Sequence, residues 1–281
     1  MKYEIIINPL SGGFNRNRIE SIIGELRKRF TNVEPLYTDY SKHAEKLASE
    51  SKADVIFVAG GDGLINEVIN GLKKRQCIIC PLPFGSANVL CFEYDIPLNP
   101  FKAIKNIDIH RLTRIYLGKI HNRYFAKMVG FGYDAMVVRN INYNVKKLNS
   151  KLAHVVSGLY TLIINNLKRV YIKINNIDVY AYNLIISLGR KYAGNYNLVK
   201  YPFYDGFTIC TMESKKRIDI VKSLLSMLLK KGIFADIYLN KSITVYGANF
   251  CQLDGEYFAL SDNKCEIELI KSDFYIPVYE N

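Results

Sequence analysis

Apolar positions in the first hundred residues follow two alternating rhythms. Short, nearly unbroken runs rich in β-branched and aromatic residues occur at 2–7, 33–37, 54–57 and 77–82, each the length of a buried strand. Between them the apolar spacing is helical. Ile19, Ile22, Ile23, Leu26 and Phe30 mark one face, and Leu64, Val68, Ile69 and Leu72 mark another. A further helix is expected from near Ser41, and Ser86-Ala87-Asn88 opens one more after the irregular Pro81, Pro83 and Gly85. Strands that alternate with helices predict an open, mainly parallel α/β sheet, which binds ligands at the carboxyl ends of its strands. The loops 8–13, 38–41, 60–63 and 83–88 all follow strands, so they should gather on one edge.

Near residue 107 the pattern changes. Seventeen of the 21 tyrosines lie after residue 110, among repeated short apolar-aromatic runs such as 115–117, 171–174, 183–188, 207–212 and 243–246. That composition favours strands, with helices expected at 133–144, 150–167 and 216–230. The reading is therefore an α/β domain at 1–109 followed by a β-rich sandwich domain at 110–272. There is no internal repeat and no low-complexity linker.

The apolar share of 49% and charged share of 23% over 281 residues are those of a globular protein with ample core. The uncharged stretch 152–167 is too short to span a bilayer comfortably. The apolar residues in 152–164 could line a pocket, but filling a core is the simpler reading. Met1-Lys2-Tyr3-Glu4 enters a strand at once without a signal-peptide apolar region, so a cytoplasmic protein is expected. Cys77 and Cys80 have the spacing of a redox or zinc pair, but in a strand they point to opposite faces, and buried thiols are the better reading.

The net charge of +12 is carried partly by basic clusters in the second half, at 146–147, 151, 168–169, 215–217 and 230–231. Nucleic acid would explain them, but no recognition motif accompanies the charge, and no nucleic acid is expected. An anionic membrane surface explains them too, since each basic residue gains about 1 kcal/mol there. A merely solvated basic surface fits as well.

The sharpest chemistry lies at 58–72. A strand leads into Gly60-Gly61-Asp62-Gly63 and then a helix, whose N-terminus presents N–H groups and a positive dipole end suited to phosphate. Asp62 would repel phosphate unless a divalent cation lay between them, so the turn reads as a site for a metal-bound nucleotide. An unliganded tight connection would look similar, and neither a Walker A loop nor a Gly-x-Gly-x-x-Gly fingerprint is present. The loop Asn8-Pro9-Leu10-Ser11-Gly12-Gly13 offers N–H groups and a hydroxyl, with Arg16 and Arg18 nearby. Late in the chain, Asp254-Gly255-Glu256 would place two acids on one side of an extended segment, able to deprotonate a hydroxyl or hold a cation. Solvated acids on an Asp-Gly turn are the plainer alternative.

Together these pieces resemble the diacylglycerol kinase catalytic-domain family in its bacterial soluble form. The resemblance runs almost end to end. It includes Asn8-Pro9-x-Ser11-Gly12, Thr38, Gly60-Gly61-Asp62-Gly63 with Asn66-Glu67-Val68, Gly85-Ser86-Ala87-Asn88, Asp205-Gly206 and Asp254-Gly255-Glu256. It implies transfer of the ATP γ-phosphoryl group to a lipid hydroxyl with Mg²⁺, in a fold with a diacylglycerol kinase/NAD kinase-like first domain. By the same resemblance Asn8, Pro9, Ser11, Gly12, Thr38, Gly60, Gly61, Asp62, Gly63, Asn66, Glu67 and Ser86 would line ATP. Asp62 would serve the catalytic magnesium network, and Glu256 with Asp254 would accept the proton. Asp205 would hold a second, structural Mg²⁺ with main-chain oxygens near Pro202 and Phe207, and the tail 273–281 would return to the first domain.

Three positions depart from the family pattern. Leu64 and Ser86 stand where threonines are usual, and Val89 stands where an acid is often found. Ser86 keeps the hydroxyl, but Leu64 and Val89 keep a catalytically silent nucleotide- or lipid-binding member open beside the kinase. An NAD kinase is a weaker third reading. As a lipid kinase the protein would be cytoplasmic and peripheral at the inner membrane surface, and the β-rich edges make a homodimer reasonable.

Overall fold

The computed structural model describes residues 1–73, 75–141, 150–164, 168–174, 177–199, 205–214, 216–228, 237–239 and 242–280. The chain divides into two compact units, Met1–Ile115 with Lys271–Asn281, and Tyr116–Ile270.

The first unit contains β1 (Tyr3–Ile7), α1 (Arg16–Arg29), β2 (Glu34–Tyr37), α2 (His43–Glu50), β3 (Val55–Gly60), α3 (Asp62–Leu72), β4 (Cys77–Pro83), α4 (Val89–Glu93) and α5 (Pro100–Asn106), and it takes in most of β5 (Ile107–Ile120). Its strands pair in parallel in the order β2-β1-β3-β4. The final strand of the chain, Lys264–Tyr279, adds to the far side of β4 through Phe274↔Cys77 and Tyr275↔Ile78, also in parallel. β3 and β4 are buried along their whole length, which is why they read as continuous apolar runs instead of alternating ones. Helix α1 presents Ile19, Ile22, Ile23 and Leu26 to the core, and the Asn15 side chain accepts the Arg18 N–H to cap it.

The second unit contains β6 (Arg123–Phe125), β7 (Met128–Gly132), α6 (Tyr133–Arg139), α7 (Ser150–Ile164), β8 (Val170–Ile174), β9 (Ile177–Ala181), β10 (Asn183–Ser187), β11 (Lys191–Tyr192), β12 (Tyr196–Asn197), β13 (Phe207–Met212), α8 (Arg217–Leu228), β14 (Ile237–Leu239), β15 (Ile243–Tyr246), β16 (Phe250–Leu253), β17 (Glu256–Ala259) and the first part of β18 (Lys264–Tyr279). Antiparallel pairing gives one sheet in the order β14-β13-β10-β7-β16-β17. Residues 264–267 of β18, with β15, β8 and β9, form the second layer. Val129, Phe131, Ile186 and Ile209 of the first sheet share a core with Ile172, Val245 and Ile267 of the second. This is a β-sandwich, built by the alternation of inward apolar residues on each strand.

Some expectations need correction in detail. Helix α6 stops at Arg139, where the Asn140 N–H still reaches the Met136 carbonyl; positions 142–144, 165–167 and 229–230 of the expected helices lie outside the described residues. Helix α7 is not simply core. Ala153, Ser157, Thr161 and Leu162 are buried, while Val156, Leu159, Tyr160, Ile163 and Ile164 are exposed. All six cysteines are buried thiols, and burial pushes Cys77 up to about 12.

Gly71 sets the closeness of α2 and α3. A Cβ there would lie 2.1 Å from the Glu45 carbonyl oxygen and 2.8 Å from the Ala48 Cβ. Gly71→Ala should therefore destabilise the chain by about 1–3 kcal/mol, an overpacking cost that outweighs the gain in helix propensity. Urea unfolding followed by circular dichroism would show it as a lower midpoint with an unchanged slope.

Candidate functional site

The loops after β1, β2, β3 and β4 meet at the carboxyl edge of the first unit. Main-chain hydrogen bonds stitch them together: Asn8 N–H to Ala59 (3.2 Å), Thr38 N–H to Ile7 (2.9 Å), Phe84 N–H to Gly60 (3.0 Å) and Gly13 N–H to Phe84 (3.1 Å). Asn8 folds its own loop, its Oδ1 accepting the Leu10 N–H at 2.8 Å. Gly61 and Gly85 are in contact, since a Cβ on Gly85 would sit 2.4 Å from the Gly61 Cα. No side chain at position 85 could leave the two loops so close. Asn88, in the left-handed region with φ 46, clasps Gly85 from both sides: its Oδ1 accepts the Gly85 N–H and its Nδ2 donates to the Gly85 carbonyl.

The two acids of the glycine-turn motif are already engaged with backbone. Asp62 accepts the Val89 N–H on one oxygen and the Leu90 N–H on the other, both at 3.0 Å. It thereby supplies the N-terminal cap that α4's own Asn88 side chain does not make. Glu67 does the same for α2, accepting the Lys42 and Ala44 N–H groups at 3.1 and 3.2 Å. Lys42 sits at φ 66 and provides no side-chain cap. Helix α3 itself begins behind Gly61, which has no side chain to close its first turn. Asn66 accepts from Asn70 along the same helix, through both its carbonyl and its Oδ1.

So Asn8, Pro9, Ser11, Gly12, Thr38, Gly60, Gly61, Asp62, Gly63 and Ser86 belong to loops that converge. Ser86 and Gly12 are exposed there, whereas Thr38 is buried. Glu67 and Asn66 lie further along α3. Arg18 packs its guanidinium 5.1 Å from the Phe84 ring centroid, which brings a fixed positive charge to this edge.

In the second unit Asp254 and Gly255 form the Asp-Gly turn that stood as the plainer reading, with the difference that Asp254 is buried and not solvated. Asp254 and Glu256 do not point the same way along an extended segment. The turn, with Asp254 at φ 51 and Gly255 at φ 89, pairs Leu253 with Glu256 across a hairpin. Two positive φ values in succession are what Asp-Gly hairpin turns adopt. The buried Asp254 carboxylate accepts the N–H groups of Ala126 (2.8 Å), Lys127 (2.9 Å) and Met128 (3.0 Å). Glu256, the first residue of β17, is exposed. Asp205 is exposed ahead of β13, Phe207 is buried and Pro202 lies outside the described residues. Among the described residues no group of three or more His, Cys, Asp or Glu is placed to hold a metal ion.

One further group carries no sequence signal. Asp134 is buried at the start of α6, where its carboxylate accepts the Tyr192 hydroxyl and, at 2.8 Å, the Gln252 side-chain amide. Burial raises its pKa, and the two hydrogen bonds offset part of that rise. Gln252 in turn accepts the Gly255 N–H at 2.7 Å, so this network braces the turn that carries Glu256.

An α/β unit with its loops gathered at the carboxyl edge, followed by a β-sandwich, defines the class. A solved structure from Bacillus anthracis str. Sterne, provisionally named a diacylglycerol kinase, has the same fold: TM-score 0.80, 23% identity, 99% of this chain and 97% of that one covered. Residues 2–120 match the family model of the diacylglycerol kinase catalytic domain. A Streptococcus pneumoniae protein provisionally named a lipid kinase is 26% identical over 62% of this chain and 62% of its own length. A Staphylococcus saprophyticus diacylglycerol kinase is 29% identical over 56% of this chain. The matches thus span 62% and 54% of these two relatives.

Asp254→Ala should cost about 3 kcal/mol or more, because it strands buried N–H groups and leaves a residue other than Asn, Asp or Gly at positive φ. Asp254→Asn, which tolerates that φ, should cost less. Paired urea titrations would check the order.

Proposed function

We propose that the chain is an ATP-dependent lipid kinase, moving the γ-phosphoryl group of Mg-ATP to the hydroxyl of a lipid such as diacylglycerol. The observation that carries this reading is the junction of the four loops at the carboxyl edge of β1–β4 in a domain matched to that family.

The residues present fit the nucleotide. The first turn of α3 faces the junction without a side-chain cap, a backbone arrangement that favours phosphate. Ser11 and Ser86 add hydroxyls, and the exposed Gly12, where a Cβ would meet nothing within 4 Å, leaves room beside the loop. Asp62 holds the start of α4 through the Val89 and Leu90 N–H groups, and as the carboxylate at this junction it would serve the magnesium of a bound nucleotide. ATP supplies the phosphoryl group, and Mg²⁺ spreads the charge that develops on it. Asp205, with the main-chain oxygen of Phe207, is the proposed holder of a second Mg²⁺ ahead of β13.

With Asp254 committed to three amides, Glu256 is the acid left to take the lipid hydroxyl proton. The Asp134–Gln252 network fixes the turn before it. Leu64 and Val89, where the sequence departs from the family, are both buried, and the Val89 contact with Asp62 is made by its backbone. Neither change removes a group that the proposed chemistry uses in this arrangement.

The wild-type protein with γ-labelled ATP, Mg²⁺ and diacylglycerol micelles should yield labelled phosphatidic acid. Glu256→Gln should lower turnover about 10²- to 10⁴-fold, with ATP affinity and unfolding midpoint unchanged. ATP binding without lipid labelling by the wild type would instead mark a silent binding protein.

A further inference from the structure

Helix α7 is amphipathic in the wrong sense for a helix facing water. Its buried face carries hydroxyls: Ser157 Oγ donates to the Val137 carbonyl at 2.5 Å, and Thr161 Oγ1 accepts from Asn140 Nδ2 at 3.1 Å. Its outer face is apolar. Val156, Leu159, Tyr160 and Ile163 follow helical spacing and are 48%, 57%, 49% and 68% exposed.

Helix α8 lies beside it and also exposes apolar side chains. Its Ile220 shares a buried cluster with Leu162 of α7, and its Arg217 donates to the Ile163 carbonyl at 3.0 Å. Ile218, Val221 and Leu225 lie on its exposed side. An apolar patch of this extent, rimmed by polar residues, marks an interaction surface.

The charge around the patch selects its partner. Residues 135–177 contain seven Lys and Arg and no Asp or Glu. Lys168, Arg169, Lys216, Arg217 and Lys222 are all exposed. A second copy packed on this face by a two-fold axis would set these basic segments against themselves. An anionic bilayer would attract them while accepting the apolar side chains. Among the described residues no helix is long and apolar enough to cross a membrane, so contact through this face would be interfacial.

We propose that the outer faces of α7 and α8 form a docking surface that inserts into the interface of an anionic lipid bilayer. The inference goes beyond the kinase reading, and its test needs no nucleotide, so either can fail alone.

The chain has no tryptophan, which makes Leu159→Trp a sole fluorescent reporter at the centre of the face. Its emission should shift to the blue with phosphatidylglycerol vesicles, be quenched by brominated acyl chains, and stay unchanged with phosphatidylcholine vesicles in moderate salt. In the wild-type background, the paired substitution Leu159→Glu/Ile163→Glu, at exposed positions, should weaken vesicle co-sedimentation at least 10-fold with unchanged circular dichroism. An unshifted emission on phosphatidylglycerol, or wild-type sedimentation by the paired variant, would overturn the proposal. So would a blue shift that grows with protein concentration in the absence of lipid, since a second copy would then cover the face.

Discussion

Two backbones touch at Gly61 and Gly85, and the carboxyl edge of the first unit is arranged around that contact. It brings the turn that begins α3 against the loop that leads to α4. Asp62 then spans the seam and gives its carboxylate to the N–H groups of Val89 and Leu90. Glu67, five residues later, repeats the device on α2. A motif that reads as a phosphate turn is therefore also a clamp, with its acids closing the N-termini of two neighbouring helices. This double duty follows from electrostatics, because a carboxylate at a helix start is favoured whether or not a nucleotide is present.

Much of the first unit was legible because each of its elements obeys a local rule. Continuous β-branched runs gave buried parallel strands, and helical spacing in 19–30 and 64–72 gave the helices that cover them. The convergence of the loops followed from topology alone. The partners of Asp62 and Glu67 did not, because they depend on backbone groups 27 and 23 residues distant in sequence. Sequence spacing gives no hint that a carboxylate will meet an N–H that far along the chain.

The second unit was less readable, for a related reason. A period of two through residues 251–257 put Asp254 and Glu256 on one side, but Asp-Gly folds into a turn with two positive φ values. The turn separates the acids into a buried structural carboxylate and an exposed one. Asp134 could not be singled out either, since only the fold brings Tyr192 and Gln252 to it. The apolar content of α7 suggested core, and the structure shows that its polar residues face inward instead. For Asp134 and for α7 it was long-range packing that decided, whereas at Asp254 the local turn chemistry did.

The central claim is that the loop junction built on Gly61 and Gly85 receives the phosphates of a nucleotide. Amide chemical shifts of the isotopically labelled chain during titration with Mg-ATP test this most directly. The account predicts saturable shifts concentrated at Gly12, Gly61, Gly63 and Ser86. Saturable binding with those amides unmoved and the largest shifts within 116–270 would contradict it.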